Sequence, residues 1–490
     1  MPIAATDISS RDHRRARSPR SPSQVWSCGP ESAALLVIAL PLGWLTWNNG
    51  GVNATDQAVV FGWVLGCAAV ASVVPRKEAQ FALPWPAVVI MLMPVLQLLP
   101  LGNTANLSEV YGLFANHGIP PPEQISIYPY ATIQACIVLG GYCALFAIAQ
   151  ALARHSTRAF LAVGLSLLTI GLVQAVLGLQ QHLASQTVAG PASEFARGTF
   201  VNRDHYAALM EGCFGLALGL ALALTAGRNW KRWVVGRESS LTVAALLAAG
   251  ACGTAVVFSY SRMGILVLRT MCIGTLVLTM FHNRRATVLL AAAGAAAALL
   301  VTAAGLPGLS GRFAELIAQH GDPSRLATWR DTLRIIPDFA WTGSGLGTFA
   351  FAFRRSESYL PLKTIDHAHS DYLELLVELG LPGAAFLLAS VAFVFVHTLW
   401  KLPTIPDART RCMAFGCLLG AAGIFLHAIA DFPLHIPAVA AAVLLGLARG
   451  LASPSTAHGG LSRDVSGLAC AGLCSGEHVV APRAMVAARR

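Results

Sequence analysis

Along most of the chain, apolar residues run in long blocks separated by short polar connections. The period-two alternation of half-buried strands is absent from these blocks. A helix crossing about 30 Å of hydrocarbon needs roughly 20 mostly apolar residues. About twelve such blocks can be placed on that criterion, near residues 32–48, 57–74, 81–100, 130–153, 159–179, 205–225, 240–258, 263–281, 287–305, 372–398, 412–430 and 432–450. They are rich in Ala, Gly, Leu and Val, and their length excludes a β-barrel. The pattern predicts an all-α polytopic membrane protein of about twelve transmembrane helices, with one large loop, 306–371, between spans nine and ten. No internal sequence repeat is visible.

Composition agrees: of 490 residues, 55% are hydrophobic and only 12% charged, where an ordinary soluble domain carries roughly a quarter. The net charge of +10 adds orientation. Cytoplasmic connections carry the excess of Lys and Arg, and threading the spans from a cytoplasmic N-terminus puts Arg76, Lys77, Arg154, Arg158, Arg228, Lys231, Arg232, Arg237, Arg284, Arg285, Lys401, Arg409 and Arg411 on one face. Segments 101–129, 180–204 and 306–371 then share the opposite face, which is periplasmic in a Gram-negative cell. The last two keep basic residues on the disfavoured side, which points to an anionic ligand there. This threading gives a basic cytoplasmic tail over 1–31, a transmembrane domain over 32–450 and a cytoplasmic tail over 451–490.

Several classes drop out. Much of the charge lies in the N-terminal tail (Arg11, Arg14, Arg15, Arg17, Arg20) and in topology-setting loops, so nucleic-acid binding is not expected. No cleavable signal peptide is expected either, because the first apolar block starts too far from Met1. The eleven cysteines fall in spans or at cytoplasmic positions, so no disulfide framework is expected. Cys470 and Cys474 have no second pair to complete a metal site.

Four stretches on the outer face carry chemistry. Arg197-Gly198-Thr199-Phe200-Val201-Asn202-Arg203-Asp204-His205 lies just before span six; its guanidiniums can fork onto phosphate oxygens, or the stretch is simply a turn with interfacial anchors. Ser261-Arg262 joins spans seven and eight so tightly that Arg262 sits at the membrane boundary, where an ionisable group is a functional candidate; snorkelling is the alternative. Arg269, deeper in span eight, is expected to pair with a buried carboxylate or carbonyl. The third stretch is Arg325 to Arg334, with Arg330 between them. It reads as a short amphipathic helix over 326–336 with Leu326, Trp329, Leu333 and Ile336 on one face, ended by Pro337. A Gly-x-Gly-x-Gly turn follows at 343–347, able to bring backbone close to a ligand but without the context of a nucleotide site.

The fourth stretch, His367-Ala368-His369-Ser370-Asp371-Tyr372, re-enters the apolar pattern at span ten. A neutral imidazole can take a proton from a sugar hydroxyl at physiological pH. His-x-His flanked by Asp366 and Asp371 is also a possible metal pair, though it lacks a distant third ligand. Asp371 or Asp366 is the candidate to orient the ring. Asp371, Glu374 and Glu378 share a helix face that should turn inward, towards the arginines.

His369-Ser370, with Gly380 and Gly383 at fixed distances beyond, resembles the histidine motif of the O-antigen ligase and Wzy-type polymerase family. Gly198 to Asn202, Ser261-Arg262, Gly343 to Phe349 and His427 to Pro433 match its other elements in order, over roughly residues 130–450. The resemblance implies a GT-C-like membrane glycosyltransferase in the bacterial inner membrane. It implies transfer or polymerisation of glycan from an undecaprenyl-diphosphate-linked donor on the periplasmic face, with no nucleotide-sugar donor, no cofactor and no essential metal. Motif order maps the family's catalytic groups onto Arg262, Arg325 and His369, with Arg312 as a second fit for the loop arginine. Arg197, Arg203, Arg312, Arg330, His367 and Asp371 are the expected substrate contacts. The acceptor is a glycan, lipid A core or a protein hydroxyl, and other polysaccharide assembly proteins are candidate partners. A transporter or flippase of a lipid-linked anion is the alternative, favoured by inverted repeats and midplane binding, whereas this chain gathers its polar residues on one face.

Overall fold

The computed structural model describes residues 34–73, 85–102, 123–187, 195–226, 236–282, 323–354, 356–358 and 364–451, apart from isolated positions. The ninth predicted span, Arg312 and both tails lie outside these residues. Every regular element among the described residues is helical. In chain order these are α1 (Leu40–Trp47), α2 (Ala54–Val73), α3 (Trp85–Leu96), α4 (Pro129–His155), α5 (Thr157–Thr187), α6 (Arg203–Thr225), α7 (Arg237–Phe258), α8 (Arg262–His282), α9 (Pro323–Ile335), α10 (Phe349–Phe353), α11 (Asp371–Lys401), α12 (Ala408–His427) and α13 (Pro437–Leu451). Seven of them, α4 to α8, α11 and α12, are long and apolar enough to cross a membrane; α1, α2, α3 and α13 are shorter apolar helices. The chain is a multi-pass membrane protein.

The core is built round α6, which is buried along nearly its whole length between α7 and α12. The α6–α12 seam is made of glycine. Gly215 and Gly219 face Gly416 and Gly420, and a Cβ on Gly219 would stand 2.7 Å from the Gly416 Cα. Paired small-xxx-small motifs let two backbones touch where lipid offers no hydrophobic drive to bring helices together.

The connections predicted to share the outer face do meet at one end of the bundle. Gly50 stands against Phe200 and Ile436, Thr199 Oγ1 donates to the Thr46 carbonyl, and the Gln97 side chain reaches the carbonyls of Thr342 (2.8 Å) and Glu378 (2.7 Å). Of the predicted inner-face cations, Arg154, Arg158, Arg237, Lys401, Arg409 and Arg411 lie at the helix ends away from this convergence.

Two local structures differ from the pattern reading. α9 forms as expected and passes through Pro337 in a 3₁₀ turn, Ile336–Phe339. Its buried face, however, is Thr328, Asp331, Thr332 and Ile335, while Leu326 and Leu333 are exposed. The polar side chains bury because each is satisfied. Thr328 and Thr332 bond back to carbonyls of their own helix, and the Asp331 carboxylate accepts the Ser358 N–H and hydroxyl at 2.9 and 2.7 Å.

The glycine turn at 343–347 approaches the protein rather than leaving room for a ligand. α11 is broken at Gly380 (φ 67°, ψ 176°). Pro382 has no N–H for the Glu378 carbonyl, and the Leu381 N–H is diverted to the Ala340 carbonyl at 2.7 Å. The N–H groups of Ser344 and Gly345 fill the vacated carbonyls of Val377 (2.9 Å) and Glu378 (3.1 Å). Gly343 (φ 75°) lies so close that a Cβ would overlap the Glu378 carbonyl. Gly343→Ala is therefore expected to destabilise the protein by at least about 2 kcal/mol, read as a fall in Tm in detergent; an unchanged Tm would contradict this packing.

Candidate active site

The site forms where α11 begins. Asp371 opens the helix, and its N–H is shared between the carbonyls of Ala428 and Asp431, each at 3.1 Å, which ties the end of α12 to the start of α11. Just upstream, His369 sits at φ 51°, a left-handed conformation that a side chain adopts at some expense in energy. Trp329 of α9 steadies it by donating Nε1–H to the His369 carbonyl at 3.2 Å.

Asp431 organises the charges. Its Oδ1 stands 3.2 Å from His369 Nδ1, its Oδ2 stands 3.6 Å from His205 Nε2, and its side chain is fully buried. Arg325 bridges onward: Nη2 is 2.7 Å from Asp204 Oδ2 and 4.0 Å from Asp431 Oδ1, and Nη1 donates to the Ala430 carbonyl at 2.6 Å. Asp204 is fixed in turn in the first turn of α6, where Asn202 caps the helix by accepting its N–H at 2.9 Å. Burial alone would raise the Asp431 carboxyl, but the His369 hydrogen bond and the nearby His205 and Arg325 charges outweigh it and hold the group well below the usual carboxylate range. A carboxylate on Nδ1 selects the imidazole tautomer whose free basic nitrogen is Nε2. About a third of the His369 side chain is exposed, 34%, so that base is reachable.

A second group lies one helical turn along. The His435 ring is held between Asp371 Oδ1 (2.6 Å from Nδ1) and Glu374 Oε1 (3.2 Å from Nε2), and His367 Nδ1 meets the same Glu374 oxygen at 2.9 Å. Phe432 separates the two groups, stacked on His367 with its centroid at 4.1 Å and set edgewise to His205 and His369 at 4.5 and 5.2 Å. Deeper still, His427 Nδ1 meets Glu211 Oε1 at 2.8 Å with both side chains fully buried.

The predicted residues distribute as follows. His369 and Arg325 come together through Asp431. Arg262 starts α8 half-buried, and Gly264 next to it packs against Ala207 of α6, one turn beyond Asp204. Arg203 lies over the Phe195 ring at 4.6 Å, while Arg197 and Arg330 are exposed. The hydroxyl and N–H of Thr199 are used internally, on Thr46 and Gln174. Arg269 is exposed on α8 instead of facing a buried carboxylate. The carboxylate on His369 belongs to Asp431, since Asp371 binds His435 and the Leu434 N–H. The inward stripe of Asp371, Glu374 and Glu378 is buried as expected, but it meets histidines and backbone N–H groups, with the Phe349 N–H on Glu378 at 2.9 Å.

Residues 243–388 match the family model described as O-antigen ligase. The chain carries an O-antigen ligase family domain. No curated protein sequence matches the chain. The O-antigen ligase segment runs from α7 through the break in α11 and contains Arg262, Arg325 and His369; Asp204 and Asp431, which hold two of them, stand on either side of it. The segment that matches the O-antigen ligase family thus lies within a multi-pass membrane protein.

Proposed function

We propose that the protein is an inverting glycosyltransferase that moves glycan from an undecaprenyl-diphosphate-linked donor to a hydroxyl acceptor on the periplasmic face of the inner membrane. The observation that carries this reading is the array His369–Asp431–Arg325–Asp204, a base and a cation held by buried carboxylates where the outer connections converge. His369 Nε2 takes the proton of the acceptor hydroxyl. The freed oxygen attacks the anomeric carbon from the face opposite the diphosphate, the bond from that carbon to the diphosphate oxygen breaks, and the diphosphate leaves with the electron pair. Arg325 and Arg262 offset the charge developing there, so the reacting atoms need no metal. Arg197, Arg203 and Arg330 serve the anionic donor further out, with Arg312 a fourth candidate. The distribution of described cations at the opposite end of the helices supports the periplasmic orientation. Broken helices also occur in transporters, but the carbonyls freed at the α11 break are already occupied by Ser344, Gly345 and Gln97.

The test is incubation of purified protein with a defined undecaprenyl-diphosphate oligosaccharide, with and without acceptors. Longer lipid-linked chains in the absence of added acceptor are expected of a polymerase; transfer that needs lipid A core or a protein is expected of a ligase or an oligosaccharyltransferase. If no product depends on His369 under any of these conditions, the reading is wrong.

A further inference from the structure

The geometry points to a divalent-cation site, of the zinc class, formed by His367, Glu374 and His435 beside the His369–Asp431 pair. One ligand atom from each residue falls within a 4.8 Å cluster. Two of its edges, 2.9 Å from His367 Nδ1 and 3.2 Å from His435 Nε2 to the same Glu374 oxygen, are close to the edge of about 3.3 Å that a tetrahedron with bonds of roughly 2.0–2.1 Å requires. Two nitrogens and one oxygen leave a fourth position open, and imidazole with carboxylate suits zinc among the common divalent ions.

The surroundings are those of a ligand set held in place. Asp371 Oδ1 holds His435 Nδ1 at 2.6 Å, the carboxylate–histidine arrangement that fixes a ligand tautomer and presents Nε2 to a metal. The second Glu374 oxygen accepts the Ala368 N–H at 3.1 Å, leaving Oε1 as the one that faces both rings. Phe432 stacks on His367 and limits its rotation. Charge agrees as well. Asp371 and Glu374 are 1% and 2% exposed. A divalent ion on neutral imidazoles balances both buried carboxylates directly.

The position gives the ion a task. His367 lies two residues before His369 and His435 four residues after Asp431, so an ion on both would fasten together the loops that carry the base and its carboxylate. It would be a positioning ion and not a reactant. The donor set argues for it whether or not the glycosyl-transfer reading holds.

Full-length protein freed of any histidine tag is stripped with chelator, dialysed against Zn2+ and measured for bound zinc, beside Glu374→Gln, His435→Asn and the gentler His367→Ala. The cysteines are common to all four proteins, so the difference isolates this site. Wild type is expected to hold one more equivalent than each monodisperse variant, and Zn2+ is expected to raise its Tm while leaving that of the variants unchanged. Equal zinc in wild type and His367→Ala, or no Zn2+-dependent rise in the wild-type Tm, would overturn the site.

Discussion

His369→Ala is expected to lower kcat for glycosyl transfer by about 10³-fold while leaving the KM for the lipid-linked donor nearly unchanged. General-base catalysis by a positioned side chain contributes roughly 10²–10⁴-fold, and the ring is the only exposed imidazole joined directly to Asp431 among the described residues. The donor is held by its charge, which the mutation does not touch. Asp431→Asn separates base from orientation. An amide can offer Nδ1 a donor where the carboxylate offered an acceptor, which favours the wrong tautomer, so a fall of about 10²-fold in kcat is expected with the His369 side chain intact. Steady-state rates on a defined lipid-linked oligosaccharide measure both. A His369→Ala enzyme within tenfold of wild type would remove the imidazole from the mechanism.

Arg325→Ala is expected to cost about 10²–10³-fold in kcat, the usual scale for losing one preorganised electrostatic donor. It should also lower stability, because Asp204 and Asp431 lose the guanidinium between them. Arg325 is itself 24% exposed, so that second loss is expected at roughly 1–3 kcal/mol, below the full penalty for breaking a buried pair. The two losses separate in the double variant Arg325→Ala with Asp204→Asn, which should recover Tm without recovering turnover. Acid sensitivity should change as well. A carboxyl held below its ordinary range, as Asp431 is, contributes stability that is present above the unfolded carboxyl pKa of about 4 and lost as pH falls through its folded value. Removing Arg325 raises that folded value, so the variant should begin to unfold at a higher pH than wild type. Thermal scans between neutral and acid pH test this, and recovery of activity in the double variant would mean that Arg325 acts only through folding.

Much of the helical frame could be read from the apolar blocks, because a membrane span announces itself by length alone. The site was half legible. His369 and Arg262 stood out as ionisable groups at block edges and Arg325 through the family resemblance, but their pairing with Asp204 and Asp431 did not, since pairing across the bundle depends on which helices are neighbours. One signal was available for Asp431: it is the sole carboxylic residue between 408 and 451, and a lone acid between two apolar blocks is a functional candidate by default. Local spacing instead favoured Asp371, which is close to His369 in sequence yet turned to the other side of the α11 start. The glycine turn misled for a related reason. Gly-x-Gly-x-Gly states that something approaches closely, and only the break at Gly380 reveals that the visitor is α11. On α9, the leucine stripe suggested the buried face, but satisfied threonines and Asp331 won it.

The glycine seam between α6 and α12 divides the site into a fixed and a movable jaw. With backbone against backbone, no side chain can change rotamer to let one helix creep along the other. Matching glycines come back into register only after four residues, a stride of about 6 Å. Asp204, on α6, and Asp431, just past α12, therefore keep their spacing through turnover. His369 and Arg325 arrive on a loop and a short helix that the seam does not include, tied to the fixed pair through the His369–Asp431 and Arg325–Asp204 contacts. Any adjustment of the site to a substrate would therefore fall on that side and leave the seam-held pair in place.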